Sequence, residues 1–138
     1  MSGMKYFFAI IICIVGAAGV HAQTDVQKFW KKFTAAVVRN DKIAVANMTK
    51  FPLGMPFGFG DVKSKADFIR RYDQIINMEA NAKRCFKSRK LSKDFAGRWS
   101  ISCTFKTEPE SSDNRPIIYY FTKTKSGWKF SDLDNINE

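Results

Sequence analysis

A carboxylate beside a phenol is a plausible proton-transfer pair in this chain. The polar groups spaced to reach an interior cavity are Tyr72, Tyr119, Tyr120, Asp61, Asp73 and Asp132. A carboxylate desolvated beside a phenol is a general acid–base pair, because burial raises the acid toward neutrality. Asp132 with Tyr119 is the pair that a small lyase or isomerase would use. The bland alternative is that these tyrosines are amphipathic core residues with wet rims, and that acids at strand ends are solvated. His21 is the only histidine and lies at the end of an apolar leader. Once that leader is removed, no Ser-His-Asp or Cys-His mechanism and no imidazole metal site can be assembled. Zinc would need two thiols completed by carboxylates, so neither a metal nor a cofactor is expected.

The element that must position these groups is the C-terminal hairpin. Ile117 to Phe121 are β-branched or aromatic and suit a pleated surface. A two-residue turn at Ser126-Gly127 sets Lys125 opposite Trp128, Lys123 opposite Phe130 and Phe121 opposite Asp132. Simple alternation then places Tyr119, Phe121, Trp128, Phe130 and Asp132 on one face. This aromatic face is expected under the helices, with Asp132 pointing inward and Tyr72, Tyr119, Phe121 and Trp128 completing a ligand site. Ile118, Tyr120 and Leu133 fall on the outer face.

The N-terminus reads as an address. Lys5 precedes the apolar run YFFAIIICIVGAAGV, and Val20-His21-Ala22 has small residues where a signal peptidase reads. Residues 1–22 are expected to be a cleaved signal peptide, and 23–138 a single exported domain, periplasmic or extracellular. Loss of Lys5 takes the formal net charge from +10 to +9, which favours anionic partners such as an anionic surface. Of the three cysteines, Cys13 lies in the leader, and the even count that remains after cleavage predicts a Cys85–Cys103 disulfide. In a hairpin centred near Asp94 those two residues face each other.

Residues 24–40 carry Val26, Phe29, Trp30, Phe33, Ala36 and Val37 at the spacing of one helical face, opened by a Thr24/Gln27 capping box. Asp41 caps a short second helix. The stretch 51–60, FPLGMPFGFG, has too much Pro and Gly for a helix and reads as an apolar loop tucked against the core. Ser64 and Asp67 open a third helix. Residues 84–91 and 98–106 read as two strands, and 108–115 as a polar loop. The basic run from Lys83 to Lys90 fits a lysine-protected edge strand more simply than a polyanion site. Its one aromatic, Phe86, makes no stacking platform, so no specific nucleic acid is expected.

The order is helices, apolar loop, helix and strands. It predicts an α+β fold with N-terminal helices packed on a curved antiparallel sheet of about four strands. The Phe-Trp-x-x-Phe helix, the Asn-Asp-Lys start followed by Phe-Pro-Leu, the Ser-Lys-x-x-Phe-Ile helix and the terminal Gly-Trp-Lys-Phe-Ser-Asp-Leu strand together resemble the nuclear transport factor 2-like superfamily, in its secreted bacterial branch. The resemblance implies a cone around a long helix, with a cavity. Such relatives include isomerases, dehydratases, cyclases and non-catalytic domains without a shared catalytic motif, so no functional residue carries over. It also implies that a homodimer would form through the outer face, at Ile118, Tyr120 and Leu133. The resulting reading is a secreted, non-catalytic binding domain for a small apolar ligand or a protein partner. A lyase or isomerase using Asp132 and Tyr119, and a cationic module for anionic envelope polymers, stand as alternatives.

Overall fold

The computed structural model describes residues 24–56, 58–107 and 116–135. The expected signal peptide and the expected loop at 108–115 lie outside them. Helix α1 (Asp25–Val38) opens on the Thr24/Gln27 capping box, with both reciprocal bonds made. Helix α2 (Lys42–Asn47) is capped by Asp41, whose carboxylate accepts from Ala44 N at 3.0 Å. Strand β1 (Thr49–Gly54) follows, then α3 (Lys65–Arg70), α4 (Tyr72–Ile76) and α5 (Ala82–Ser88). The remaining strands are β2 (Ser92–Lys93), β3 (Trp99–Thr104), β4 (Pro116–Thr124) and β5 (Gly127–Asn135). The sheet runs β1-β5-β4-β3-β2, antiparallel except for the parallel β1–β5 pair. The α+β class is as expected, and the sheet has one strand more than expected.

Three local differences from the sequence reading matter. First, 51–60 is not all loop. Thr49–Gly54 is an edge strand, and Leu53 pairs with Val62 in both directions, at 2.9 and 3.1 Å. An edge strand tolerates Pro52 because one of its sides needs no ladder donor. Second, the stretch expected as a strand at 84–91 begins as helix α5. Asn81 caps it by accepting from Arg84 N at 3.2 Å. Ala82, Cys85 and Phe86 then recur at helical spacing, and the lysines and arginines between them are good helix formers.

Third, the hairpin turns at Lys125-Ser126, with Gly127 at φ +101° opening β5. Phe121 therefore faces Phe130, and Lys123 faces Trp128. This slip of two residues keeps every side chain on its expected face. A bulge then intervenes between Tyr120 and Phe121, and their partners become Asp132 and Phe130. The extra residue, Ser131, reverses the alternation beyond it. Leu133 moves under the helices opposite Tyr119, and Asp132 moves outside opposite Tyr120.

Candidate functional site

The space between α1 and the sheet is filled. Phe33, fully buried, meets Phe121 at 5.2 Å and Phe130 at 5.7 Å between ring centroids. Phe29 meets Phe121 at 5.6 Å, and Phe86 meets Tyr119 edge-on at 4.9 Å. Aromatic pairs in these geometries add to the burial of their area. Tyr119 is buried, and its hydroxyl donates to Ile76 O at 3.1 Å. Desolvation pushes its phenol far up, with the negative charge of Glu79 adding. Tyr72 is equally buried, and its hydroxyl has no hydrogen-bond partner. Burial pushes that phenol up to about 12, and Asp73 and Asp41 contribute. Phenols held this high stay neutral at physiological pH and are poor bases.

The other predicted site residues separate. Phe121 is core, and Trp128 packs half-buried against the core at the turn end of the hairpin. Asp132 lies on the outer face, with Oδ1 2.6 Å from where a Cβ on Gly54 would stand. It therefore does not meet Tyr119, because the Ser131 bulge puts the two side chains on opposite faces. The acid–base pair drawn from simple alternation is not assembled. Leu133 leaves the outer apolar set, where Ile118 and Tyr120 remain, and the Arg98 guanidinium covers the Tyr120 ring at 4.1 Å. Among the described residues no group of His, Cys, Asp or Glu is arranged to hold a metal ion.

Among the described residues, hollows lie on either side of α5, outside the packed interior. The larger, about 820 Å³, runs between α1 and the segment from α5 to β3. Its apolar wall is Trp30, Phe86, Leu91 and Trp99, and its cationic members are Lys31, Lys87, Arg89 and Lys90. Thr34 Oγ1, in the same wall, is buried without a partner. Sequence reasoning missed this groove because it placed Phe86 and its basic neighbours on an edge strand. A helix there sends Phe86 toward Trp30, 5.0 Å away, and turns Lys87 to the rim. The signal that would have found it is the Asn81 cap followed by helical spacing.

The smaller hollow, about 540 Å³, lies on the other side of α5, where Arg84, Ser88, Arg89, Thr104 and Lys106 surround the disulfide. Arg89 donates to Thr104 Oγ1 at 3.1 Å. Cys85 and Cys103 are joined, with a Cα–Cα distance of 5.7 Å. The pair is the expected one, but the bridge clamps a helix to a strand instead of closing a hairpin. It ties down α5, which stands between the two hollows, with Arg89 lining both.

Beyond the groove, β2 and β3 are joined by the turn 94–97. Asp94 N donates to Arg98 O at 2.8 Å, and Gly97 N donates to Asp94 O at 3.1 Å. Arg98 returns two bonds to the Asp94 carboxylate, from N and Nε, each 2.8 Å. Partial desolvation opposes ionisation of Asp94, but the Arg98 amide and guanidinium hold its carboxyl below the usual range.

No family model matches the chain, and no curated protein matches it. Solved structures do. One is an NTF2-like protein with a cystatin-like fold from Novosphingobium aromaticivorans, at 12% identity and TM-score 0.46, covering 80% of this chain and 78% of that one. Another is a ketosteroid isomerase-like protein from Erwinia carotovora atroseptica, at 12% and 0.46, covering 86% and 99%. A third is an NTF-2 like protein of unknown function from Shewanella oneidensis, at 11% and 0.45, covering 80% and 95%. The likeness is one of fold: the nuclear transport factor 2-like, or cystatin-like, α+β arrangement.

Proposed function

We propose that this chain is an exported, non-catalytic binding domain whose α1–α5 groove holds an amphipathic ligand with an apolar body and an anionic head. The observation that carries the reading is the groove itself. Its volume suits a small molecule. Trp30, Phe86, Leu91 and Trp99 supply apolar contact, while Lys31, Lys87, Arg89 and Lys90 supply charge for a carboxylate, sulfate or phosphate. Among the described residues no ion pair uses Lys31, Lys87 or Lys90, so their charge is available to a ligand. Asp132 does not reach Tyr119, and the Tyr119 phenol stays protonated at physiological pH, so the proton-transfer pair of the enzyme reading is not formed.

Thermal melts with palmitate and with hexadecanol test this. A ligand that binds only the folded state raises the melting temperature in proportion to its saturation. Palmitate is expected to stabilise and hexadecanol to do so less, because only the acid engages the rim. Ala35→Phe, which adds bulk to the groove wall, is expected to abolish both shifts. Equal shifts in the wild type and Ala35→Phe would sink the groove as the site. A second reading, capture of anionic polymers, is favoured by the basic hollow at Arg89 and Lys106. It predicts affinity that collapses with added salt, whereas the amphiphile should lose only its headgroup share.

A further inference from the structure

We propose that the β2–β3 turn, Asp94 to Arg98, is a docking finger that inserts Phe95 into an anionic lipid bilayer. Phe95 is the most exposed large apolar residue among those described, at 113% relative accessibility, against 58% for Ile43 and 45% for Met78. Such exposure at a loose loop would mean little. Here the turn is fastened. The Asp94–Arg98 backbone bond, the Gly97-to-Asp94 bond and the double Arg98–Asp94 contact tie Asp94, Gly97 and Arg98 together around it. Gly97 takes the positive φ of +79° that closes the turn. With its own neighbours bonded to one another, Phe95 is displayed outward on a preorganised tip, so little ordering is lost when it inserts.

Charge identifies the partner. From Lys87 to Trp99 the chain carries five Lys and Arg and one Asp, a net charge of +4. That single acid is occupied by Arg98 at 2.8 Å. Lys93 is exposed at the tip, with its Cε 3.8 Å from where a Gly97 Cβ would stand. An apolar wedge inside a cationic collar matches a surface that is negative outside and apolar just beneath. A protein pocket for Phe95 would not call for the collar. Among the described residues no helix is long and apolar enough to cross a membrane. Leu91 and Trp99, which flank the finger in sequence, also line the groove. An inserted tip would thus set the groove close to the lipid surface; the finger itself does not rest on the groove reading, although that reading gains a source of amphiphile from it.

Co-sedimentation with vesicles tests the finger. Phosphatidylcholine vesicles with about one phosphatidylglycerol in three should take up the wild type, and pure phosphatidylcholine should not, since each basic residue near an anionic surface adds attraction. Phe95→Ser should weaken the partition by about tenfold or more, the value of burying one large apolar side chain. Its melting temperature should not change, because Phe95 touches no core. Lys93→Glu should weaken it by several fold and reduce its sensitivity to salt. Equal partition of the wild type and Phe95→Ser would overturn the finger, and so would absence of wild-type binding to the anionic vesicles. Loss by Phe95→Ser of a protein partner, with no vesicle binding by the wild type, would overturn it in favour of a protein socket. Ala35→Phe separates the two readings. It should keep full vesicle partition while losing the palmitate shift, so failure of the groove leaves the finger standing and failure of the finger leaves the groove.

Discussion

Helix α1 has two aromatic sides that behave differently. Toward the sheet, Phe29 and Phe33 meet Phe121 and Phe130 in one buried cluster. Toward α5, Trp30 meets Phe86 at 5.0 Å, and a groove remains beside them. The sheet side closes because Tyr119 and Phe121 on β4 and Phe130 and Leu133 on β5 turn large apolar or aromatic side chains toward the helix. The α5 side stays open because long cations stand on both banks, Lys31 on α1 and Lys87 and Lys90 opposite. Like charges in water repel weakly but resist desolvation strongly. Between α1 and the sheet the described residues form core, and the hollow lies on the α5 side of that helix.

The comparison breaks first at Phe33. Phe33→Ala should cost about 3–5 kcal/mol in urea denaturation, as for any fully buried Phe. Trp99→Ala, on the open side and half-buried, should cost less than half of that. If Trp99→Ala costs as much as Phe33→Ala, the groove is core and not a site. If Phe33→Ala is nearly neutral, the interior is a chamber and the assignment is inverted.

The clamp between the two sides comes next. Cys85→Ser combined with Cys103→Ser should lose roughly 3 kcal/mol, the loop-closure entropy of a bridge with 18 residues of separation. The loss should appear as well in hydrogen exchange, concentrated in α5, because the bridge is what holds that short helix to β3. Uniform loss over the whole chain would mean that α5 is held by packing alone.

How much of this could be read from residues alone follows from where periodicity holds. Helix α1 was legible because Thr24, Gln27 and the Phe33/Val37 face obey local rules, and those bonds form. Ser64 likewise caps α3, accepting from Asp67 N at 3.2 Å. Strand β3 was legible from the alternation of Ile101 and Cys103 with Ser100 and Ser102, although Ser100 is itself buried. Helix α5 was not, because a run of cations around one aromatic has no clear period, and the cap at Asn81 is a quieter signal than the lysines. The bulge at Ser131 was invisible in principle. Alternation carries the face of Phe130 on to Asp132, and nothing in the residue types marks the extra residue. The disulfide was predicted with the right partners through a hairpin that does not form. The groove was illegible for the same reason as α5, since its wall exists only when 82–88 is helical.

The two buried phenols sharpen the comparison within the closed side. Tyr119 donates to Ile76 O, whereas Tyr72 donates to nothing. Tyr119→Phe should therefore cost about 1 kcal/mol, and Tyr72→Phe should be neutral or stabilising by about as much, since an unmet buried hydroxyl is itself a penalty. The pH dependence has a definite sign. Tyr72 ionises at about 12 when folded against an ordinary value of 10.0. Above 10 the unfolded chain releases this proton and the folded chain does not. Stability is thus full below 10 and falls as pH rises toward 12. Tyr72→Phe should flatten part of that alkaline loss in urea titrations. An identical alkaline slope in both proteins would place the Tyr72 hydroxyl in contact with water.

The smallest effect is expected at Asp132, the residue that alternation alone makes most interesting. It is only half-buried, it lies on the outer face opposite Tyr120, and Gly54 packs against its carboxylate. Asp132→Asn preserves shape and removes charge. Arg98, which feels its charge, is already engaged by Asp94 at 2.8 Å and by the Tyr120 ring at 4.1 Å. Stability should therefore change by less than about 0.5 kcal/mol, as for most surface substitutions without a special mechanism. The palmitate shift should stay within twofold of the wild type, because Asp132 does not line the groove. A large loss of binding in Asp132→Asn with unchanged stability would return the functional site to the sheet. It would also mean that the bulge exists to expose that carboxylate, rather than merely to bring Leu133 inside.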